Sequence, residues 1–318
     1  MKSSRRSFIR TTSAGFAAAV VSPKIFAGSP LQASGKTPLC VFTKCLQFLT
    51  YDGVGETLKQ VGFDGADLAV RKGGQVEPQS VKADLPKAVK ALKKYGVSVP
   101  MMVTDITDPA NPYTEDVIAA AADQGLTHYR LGYFNYDPAK SVPQNLDLHK
   151  KAIEGIEKIN RKYKIRGGYQ NHSGTRVGGP VWDLYEILKD SDPAYIGVQY
   201  DIRHAIVEGA FAWPVTMKLL APWISSTCIK DFYWKKDAKG RWITENSPLG
   251  VGMVNFDAYF KEYIKYGISG PVSIHYEYDL GGAESGRTET KMSLADIKVF
   301  LKNDLEWLRK KYAEHNIK

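Results

Sequence analysis

The sequence predicts a single α/β domain of the closed (β/α)8 class, a TIM barrel. Three observations carry that prediction. Short apolar strands alternate with amphipathic helices eight times over roughly 280 residues, the size of such a barrel. No break in composition divides the 318 residues into two domains. Four later strands end on polar side chains: Gln170-Asn171-His172, Tyr200-Asp201, Lys230-Asp231 and His275-Tyr276-Glu277. A doubly wound sheet is the alternative, but it lacks a glycine fingerprint after the first strand.

In order along the chain, the first strand is expected over residues 41–48 and a short helix over 54–61. A second strand over 65–70 leads to a helix over 85–95, where Pro86 is tolerated only near the start. Gly96 ends that helix before a third strand over 97–103. The next helix, 114–124, takes Thr114 as its N-cap with Glu115 and Asp116 in the first turn, and Gly125 closes it ahead of a strand over 128–131. The second half repeats the rhythm. Helices are expected at 145–163, 181–188, 211–220, 256–266 and 293–312, and strands at 166–171, 195–201, 223–230 and 272–277. The pairs Gly73-Gly74, Gly178-Gly179 and Gly281-Gly282 follow strands, where barrel loops build active sites.

The formal charge of +9 resembles a nucleic-acid signal until it is located. Lys2, Arg5, Arg6, Arg10 and Lys24 supply five of those charges within residues 1–27, a stretch without acids, and leave +4 for the rest. Elsewhere Lys and Arg alternate with Asp and Glu on helical faces, the pattern of solvated surface, so no nucleic-acid partner is expected. Arg5-Arg6 followed by the apolar run 14–21 is a twin-arginine export pattern, with cleavage placed after Ala27 or Ala33. The expected organisation is a signal peptide over 1–27, a linker over 28–37 and the barrel over 38–318, in the periplasm. No stretch of the mature chain approaches the ~18 apolar residues of a membrane span. Cys40, Cys45 and Cys228 fit neither a disulfide framework nor a zinc motif.

Residues two apart on a strand face the same side, which pairs Gln170 with His172, Gln199 with Asp201, Cys228 with Lys230 and His275 with Glu277. Polar groups at these positions would be costly in an apolar interior, and they lie toward the C-terminal strand ends, where barrel enzymes hold their chemistry. Taken singly, Gln170 or His275 is as readily a hydrogen-bonded core residue. Tyr133, Phe134, Tyr136, Trp182, Phe232, Tyr233 and Trp234 follow strands or open helices, and such rings suit the apolar faces of sugars or ordinary packing. Arg71, Arg130 and Arg176 also follow strands and are candidate anion contacts.

From about residue 43 to 308 the chain resembles the xylose-isomerase-like barrels, a family of sugar phosphate isomerases and epimerases. The carriers are Gly62-Phe63-Asp64-Gly65, Gln170-Asn171-His172-Ser173-Gly174, Tyr200-Asp201-Ile202-Arg203-His204-Ala205, Lys230-Asp231, Pro248-Leu249-Gly250-Val251-Gly252 and His275-Tyr276-Glu277-Tyr278. An exported twin-arginine subgroup fits best. The resemblance implies a divalent cation (Mn, Mg, Co or Zn) held by Glu, Asp, His and Glu from strands five to eight. Asp201 and Glu277 match two of these positions. Gln170 stands where the first Glu is usual and offers only a neutral oxygen, and Cys228 stands where the His is usual. His172 or His275 could supply an imidazole instead.

The chemistry so implied is proton abstraction beside a carbonyl, with the cation polarising the oxygen. Glu277 is the ligand that could double as base. His204 would meet a substrate hydroxyl. Lys230 would stabilise the oxyanion or pair with Asp231 or Asp201, and both readings stand. Asp231 reads as a loop or helix cap. His172, His275, Trp234 and Arg130 are the expected substrate contacts. The expected function is a sugar isomerase or epimerase acting on a free sugar or keto-sugar, since nothing resembles a phosphate loop. A lyase or hydratase on keto-glycosides is the alternative, and a non-catalytic carbohydrate-binding barrel a third. An endonuclease is disfavoured, because its full zinc-ligand set is missing. The partner is a small carbohydrate, with a homo-oligomer open.

Overall fold

The computed structural model describes residues 37–318, so the expected signal peptide and all of the linker but Thr37 lie outside the described residues. Eight parallel strands close into a barrel in chain order, the first pairing with the last. They are β1 (Leu39–Phe42), β2 (Gly65–Ala69), β3 (Ser98–Val103), β4 (His128–Arg130), β5 (Arg166–Gln170), β6 (Ile196–Asp201), β7 (Ile224–Ile229) and β10 (Val272–Ile274). Helices fill the crossovers: α1 (Tyr51–Val61), α2 (Val81–Lys94), α3 (Thr114–Asp123), α4 (Val142–Tyr163), α5 (Trp182–Leu188), α6 (Ile202–Gly209), α7 (Trp213–Leu220), α8 (Phe256–Lys265) and α9 (Leu294–Glu314). The expected (β/α)8 barrel is the fold of the chain.

Helix spacing explains how the outer layer seats. Val54, Leu58 and Val61 of α1, Leu85, Val89 and Leu92 of α2, and Leu301, Leu305 and Leu308 of α9 recur every three or four residues and are buried. Each set makes one apolar stripe facing the barrel wall. Strands β6 and β7 are buried at every residue, as expected of parallel strands covered on both faces. Inside the barrel, Phe42, Ala69 and Val103 form a separate apolar patch near the C-terminal ends of β1 to β3.

Several expected boundaries move for identifiable reasons. The first strand ends at Phe42, and Thr43–Leu46 form a 3-10 turn, where a strand had been expected to run on to residue 48. The second helix begins at Val81, which places Pro86 inside it rather than near its start. Thr114 is the first helical residue and not the cap; its hydroxyl donates to the Asp108 carbonyl at 2.7 Å. The fourth helix starts at Val142 because Ser141 and Gln144 form a capping box ahead of the apolar run, with Pro143 in the first turn. Asp201 caps α6 directly, a helix that lies between the strand expected to end at 201 and the helix expected from 211.

The largest departure follows β7. There β8 (Asp231–Lys236) and β9 (Trp242–Ser247) form an antiparallel hairpin outside the barrel. Asp231 anchors it: Oδ2 accepts from the backbone N–H of Gly250 and Gly252, and Oδ1 from Phe232 and Val254. That bears out a structural role for this carboxylate. The Pro248–Gly252 motif is thus wrapped on Asp231. A Cβ on Gly252 would lie 2.1 Å from Asp231 Oδ1. Gly252→Ala is therefore expected to lower stability by about 1–3 kcal/mol, the cost of overpacking a closed contact, read as a fall in the urea midpoint. An unchanged midpoint would show that the clasp yields.

Candidate active site

The polar strand ends meet at one mouth of the barrel. Lys230 follows β7 and is 2% exposed. A lysine ammonium has three N–H donors, and here each has a partner. Nζ lies 3.0 Å from Asp201 Oδ2, 3.3 Å from Glu277 Oε2 and 2.7 Å from His204 Nε2. Burial works against the Lys230 charge, but the Asp201 and Glu277 carboxylates outweigh it and hold the ammonium above the ordinary lysine range. Of the two readings left open for Lys230, the ion pair with Asp201 is formed.

Asp201 is the most constrained member. The Asn171 side chain grips its backbone at both groups, donating to the Asp201 carbonyl at 2.9 Å and accepting its N–H at 2.8 Å. Its Oδ1 accepts the His204 N–H at 3.1 Å as helix cap, and Oδ2 accepts from Gln170 Nε2 at 2.8 Å. The β6–β7 ladder shifts register between Val198 and Gln199 and brings Cys228 beside Asp201. Burial first, and then that carboxylate, push the Cys228 thiol well above its usual value, so it stays protonated.

Gln170 faces two ways. Its amide nitrogen is turned to Asp201, while its oxygen accepts from Arg130 Nη1 at 2.9 Å and from the Tyr133 hydroxyl. Arg130 is buried and its Nη1 also donates to Tyr133, so this expected substrate contact serves the wall of the site.

The imidazoles have distinct states. His204 Nε2 accepts from Lys230, and its Nδ1 donates to Ser173 Oγ at 2.8 Å, which also accepts from Arg203. Burial and the Lys230 charge hold His204 well below the usual histidine value, so it is neutral. His172 Nδ1 lies 2.9 Å from the Ser173 carbonyl and must donate to it, which leaves Nε2 unprotonated. Burial and Lys230 lower His172 also, and its ring lies 4.0 Å from that of His204. His275 packs on Phe42 deeper in the barrel, with Nε2 3.6 Å from Asp67 Oδ2.

Glu277 is the reachable carboxylate, its side chain 25% exposed. Burial raises it, but Lys230 and Lys44 prevail and keep it ionised far below the ordinary carboxylate range. Lys44, 3.8 Å from Glu277 Oε1, was not singled out in the sequence, although it stands two residues past the end of β1. Arg203 was quoted only within a motif, yet it ties Ser173 to Thr244 and Asn246 of the hairpin, and Asn246 donates to the Glu277 carbonyl at 3.2 Å. Trp234 stands on that hairpin, 40% exposed, with its ring against Phe232 and outside this cluster.

A divalent cation at Gln170, Asp201 and Glu277 does not fit these residues. The Gln170 oxygen is engaged by a guanidinium, its N–H donors face Asp201, the Cys228 thiol is protonated and Lys230 stands between the carboxylates. Among the described residues, no group of three or more His, Cys, Asp or Glu is placed to hold a metal ion.

The sequence profile of the xylose isomerase-like TIM barrel family matches residues 56–310. No curated protein matches the sequence. Among solved structures, an L-ribulose 3-epimerase superimposes with a TM-score of 0.67 at 12% identity, over 88% of this chain and 96% of that one. The 3-keto-D-glucoside 4-epimerase of E. coli gives 0.63 at 13%, over 86% of this chain and 100% of that one. The probable 3-DHS dehydratase of Bacillus anthracis gives 0.63 at 16%, over 86% and 99%. Identities this low carry the fold alone.

Asp67 lies below the mouth on β2, fully buried, with Oδ2 accepting from Ser273 Oγ at 2.8 Å and Oδ1 without a hydrogen-bond partner among the described residues. Burial pushes its carboxyl up to about 7 from 3.8, against the pull of Ser273 and Arg130. The folded chain therefore keeps a proton there that the unfolded chain releases near pH 4. Stability from this group is full below that pH and falls as pH rises to about 7. Asp67→Asn, uncharged throughout, is expected to lose less stability than the wild type over that interval, by a few kcal/mol. Parallel urea curves for the two proteins from acid to neutral pH would contradict this.

Proposed function

Since the chain belongs to the xylose isomerase-like TIM barrel family, we propose that it is a sugar isomerase or epimerase that abstracts a proton next to the carbonyl of a free sugar or keto-sugar. The observation that carries this reading is the Lys230 ammonium between Asp201 and the reachable Glu277 at the barrel mouth, beside His172 with an unprotonated nitrogen. No step is assigned to a metal ion, because the residues do not fit one.

A substrate carbonyl or hydroxyl oxygen competes best for the longest of the three Lys230 contacts, the one to Glu277 at 3.3 Å. Accepting that N–H, the oxygen is polarised, and Glu277 loses part of the charge that depresses it. It becomes a stronger base at the moment the α-proton becomes more acidic. Lys230, with Lys44 and Arg130 nearby, then faces the negative charge of the enediolate. Return of that proton by the Glu277 carboxyl to the neighbouring carbon, with the hydroxyl proton passing from one enediolate oxygen to the other, moves a carbonyl; inversion instead has Nε2 of His172 take a proton from water and give it to the opposite face, while the Glu277 carboxyl releases its own to water. Asp201 holds Lys230 in place throughout. The two epimerases that share the fold support a sugar substrate. Export by the twin-arginine route belongs to the same reading, supported by Arg5-Arg6 and the acid-free first 27 residues.

A lyase acting on keto-glycosides is the second reading. It is favoured by Lys230 being the one cation bonded to both carboxylates, because elimination from an enolate needs one oxygen stabilised where an enediolate presents two. The dehydratase that shares the fold agrees with it.

NMR in deuterated buffer with a panel of ketoses and 3-keto-glycosides distinguishes these outcomes. Deuterium is expected at the carbon beside the carbonyl, and Glu277→Gln is expected to slow its uptake by about 100-fold or more. Release of water or an aglycone selects the lyase. Binding without any deuterium uptake overturns both.

A further inference from the structure

Every ligand position that the family resemblance reserves for a metal is engaged in another way here. Gln170 presents N–H to the cavity side of Asp201, and its oxygen is held by Arg130 and Tyr133. Cys228 lies against Asp201 as the second replacement. Between the two remaining carboxylates stands Lys230, with all three donors used. We propose that Lys230 is the resident cation of this site and that its ammonium excludes a divalent metal.

The charge balance argues the same way. With Gln170 neutral, Asp201 and Glu277 carry two negative charges, and Lys230 with Lys44 beside Glu277 supplies two positive ones. A divalent ion added to this set would leave it strongly positive next to the buried Arg130, at a depth where unpaired charge is costly. It would also need carboxylate oxygens at about 2.0–2.2 Å, and so would displace the ammonium from both. Among the described residues Lys230 pairs with no carboxylate besides Asp201 and Glu277, and its neighbour Asp231 is used up by four backbone N–H groups. His204 completes the exclusion, since its Nε2, the lone pair a metal would take, already accepts from Lys230.

The inference rests on the geometry and not on the substrate, so the failure of an isomerase assay leaves it standing. The test is metal binding by the full chain. Protein purified without chelator is analysed for bound metals, then titrated with Mn²⁺ while free Mn²⁺ is followed by electron paramagnetic resonance. Wild type is expected to carry no stoichiometric metal and to bind Mn²⁺ only weakly. Lys230→Ala removes the ammonium and leaves two carboxylates facing a water-sized gap, and is expected to bind one Mn²⁺ at least about tenfold more tightly. Lys230→Gln, closer in length, repeats the measurement if the alanine variant does not fold. A stoichiometric metal on the wild type, or variants that bind Mn²⁺ no better than it, overturns the proposal. A role for Lys230 in stability alone would not create a metal site on its removal.

Discussion

The pairing of Lys230 with Asp201 and Glu277 is the interaction around which the mouth of this barrel is arranged. Three charges in a nearly dry pocket are unfavourable one by one, and they persist because each supplies the counter-charge of the next. Their positions must then be fixed closely, since a small movement leaves a charge without its partner. Asp201 is accordingly fastened at four points: by Asn171 at both backbone groups, by the α6 N-terminus at one carboxylate oxygen and by Gln170 at the other. The short α6 starts directly after β6 because the same carboxylate that pairs with Lys230 also caps it.

A second layer keeps that arrangement from relaxing. Arg203 reaches from α6 to the hairpin, bonding Ser173, Thr244 and Asn246 and lying over the Phe232 ring. Asn246 in turn holds the Glu277 backbone. The hairpin is therefore a brace that joins the loop after β5, the start of α6 and the segment after β10. Its own root is Asp231, next in sequence to Lys230. Adjacent residues on an extended chain point oppositely, and this pair uses that fact: Lys230 turns to the carboxylates and Asp231 to the glycine-rich turn.

The barrel was legible in the sequence because its signals are repetitive. Eight apolar strands and the helical spacing of residues such as Val54, Leu58 and Val61 recur often enough to outweigh a boundary error at any one of them. The polar strand ends were also legible, since Gln170, His172, Asp201, Lys230 and Glu277 break apolar runs. What could not be read was direction. Gln170 reads as an oxygen ligand, yet an amide carries N–H donors as well, and Arg130 on the neighbouring β4, with Tyr133 just after it, takes up its oxygen. Lys44 escaped notice because the first strand stops at Phe42, two residues before it, while the apolar run continues. The hairpin was hidden for a related reason: Phe232 and Trp234 read as loop aromatics for sugar, and their antiparallel partners begin only at Trp242.

The same limit explains why the cation could not be chosen from the motif. Asp201 and Glu277 are what a metal site and an ammonium site have in common. The distinction lies in residues that look like conservative losses, a Glu position held by Gln and a His position held by Cys. Each loss removes a feature a divalent ion needs, either a negative charge or an unprotonated nitrogen donor, since the Cys228 thiol keeps its proton. Each also removes a competitor for Lys230: a carboxylate at 170 would pull the ammonium off the line between Asp201 and Glu277, and an imidazole at 228 would crowd it where the small thiol does not. Substitutions that weaken one cation thus make room for the other, and the barrel mouth keeps a positive centre by different means. Because Asp201 and Glu277 hold the Lys230 ammonium above its ordinary range, it keeps its proton, so the barrel mouth carries a fixed positive centre with Asp201 behind it to hold the charge.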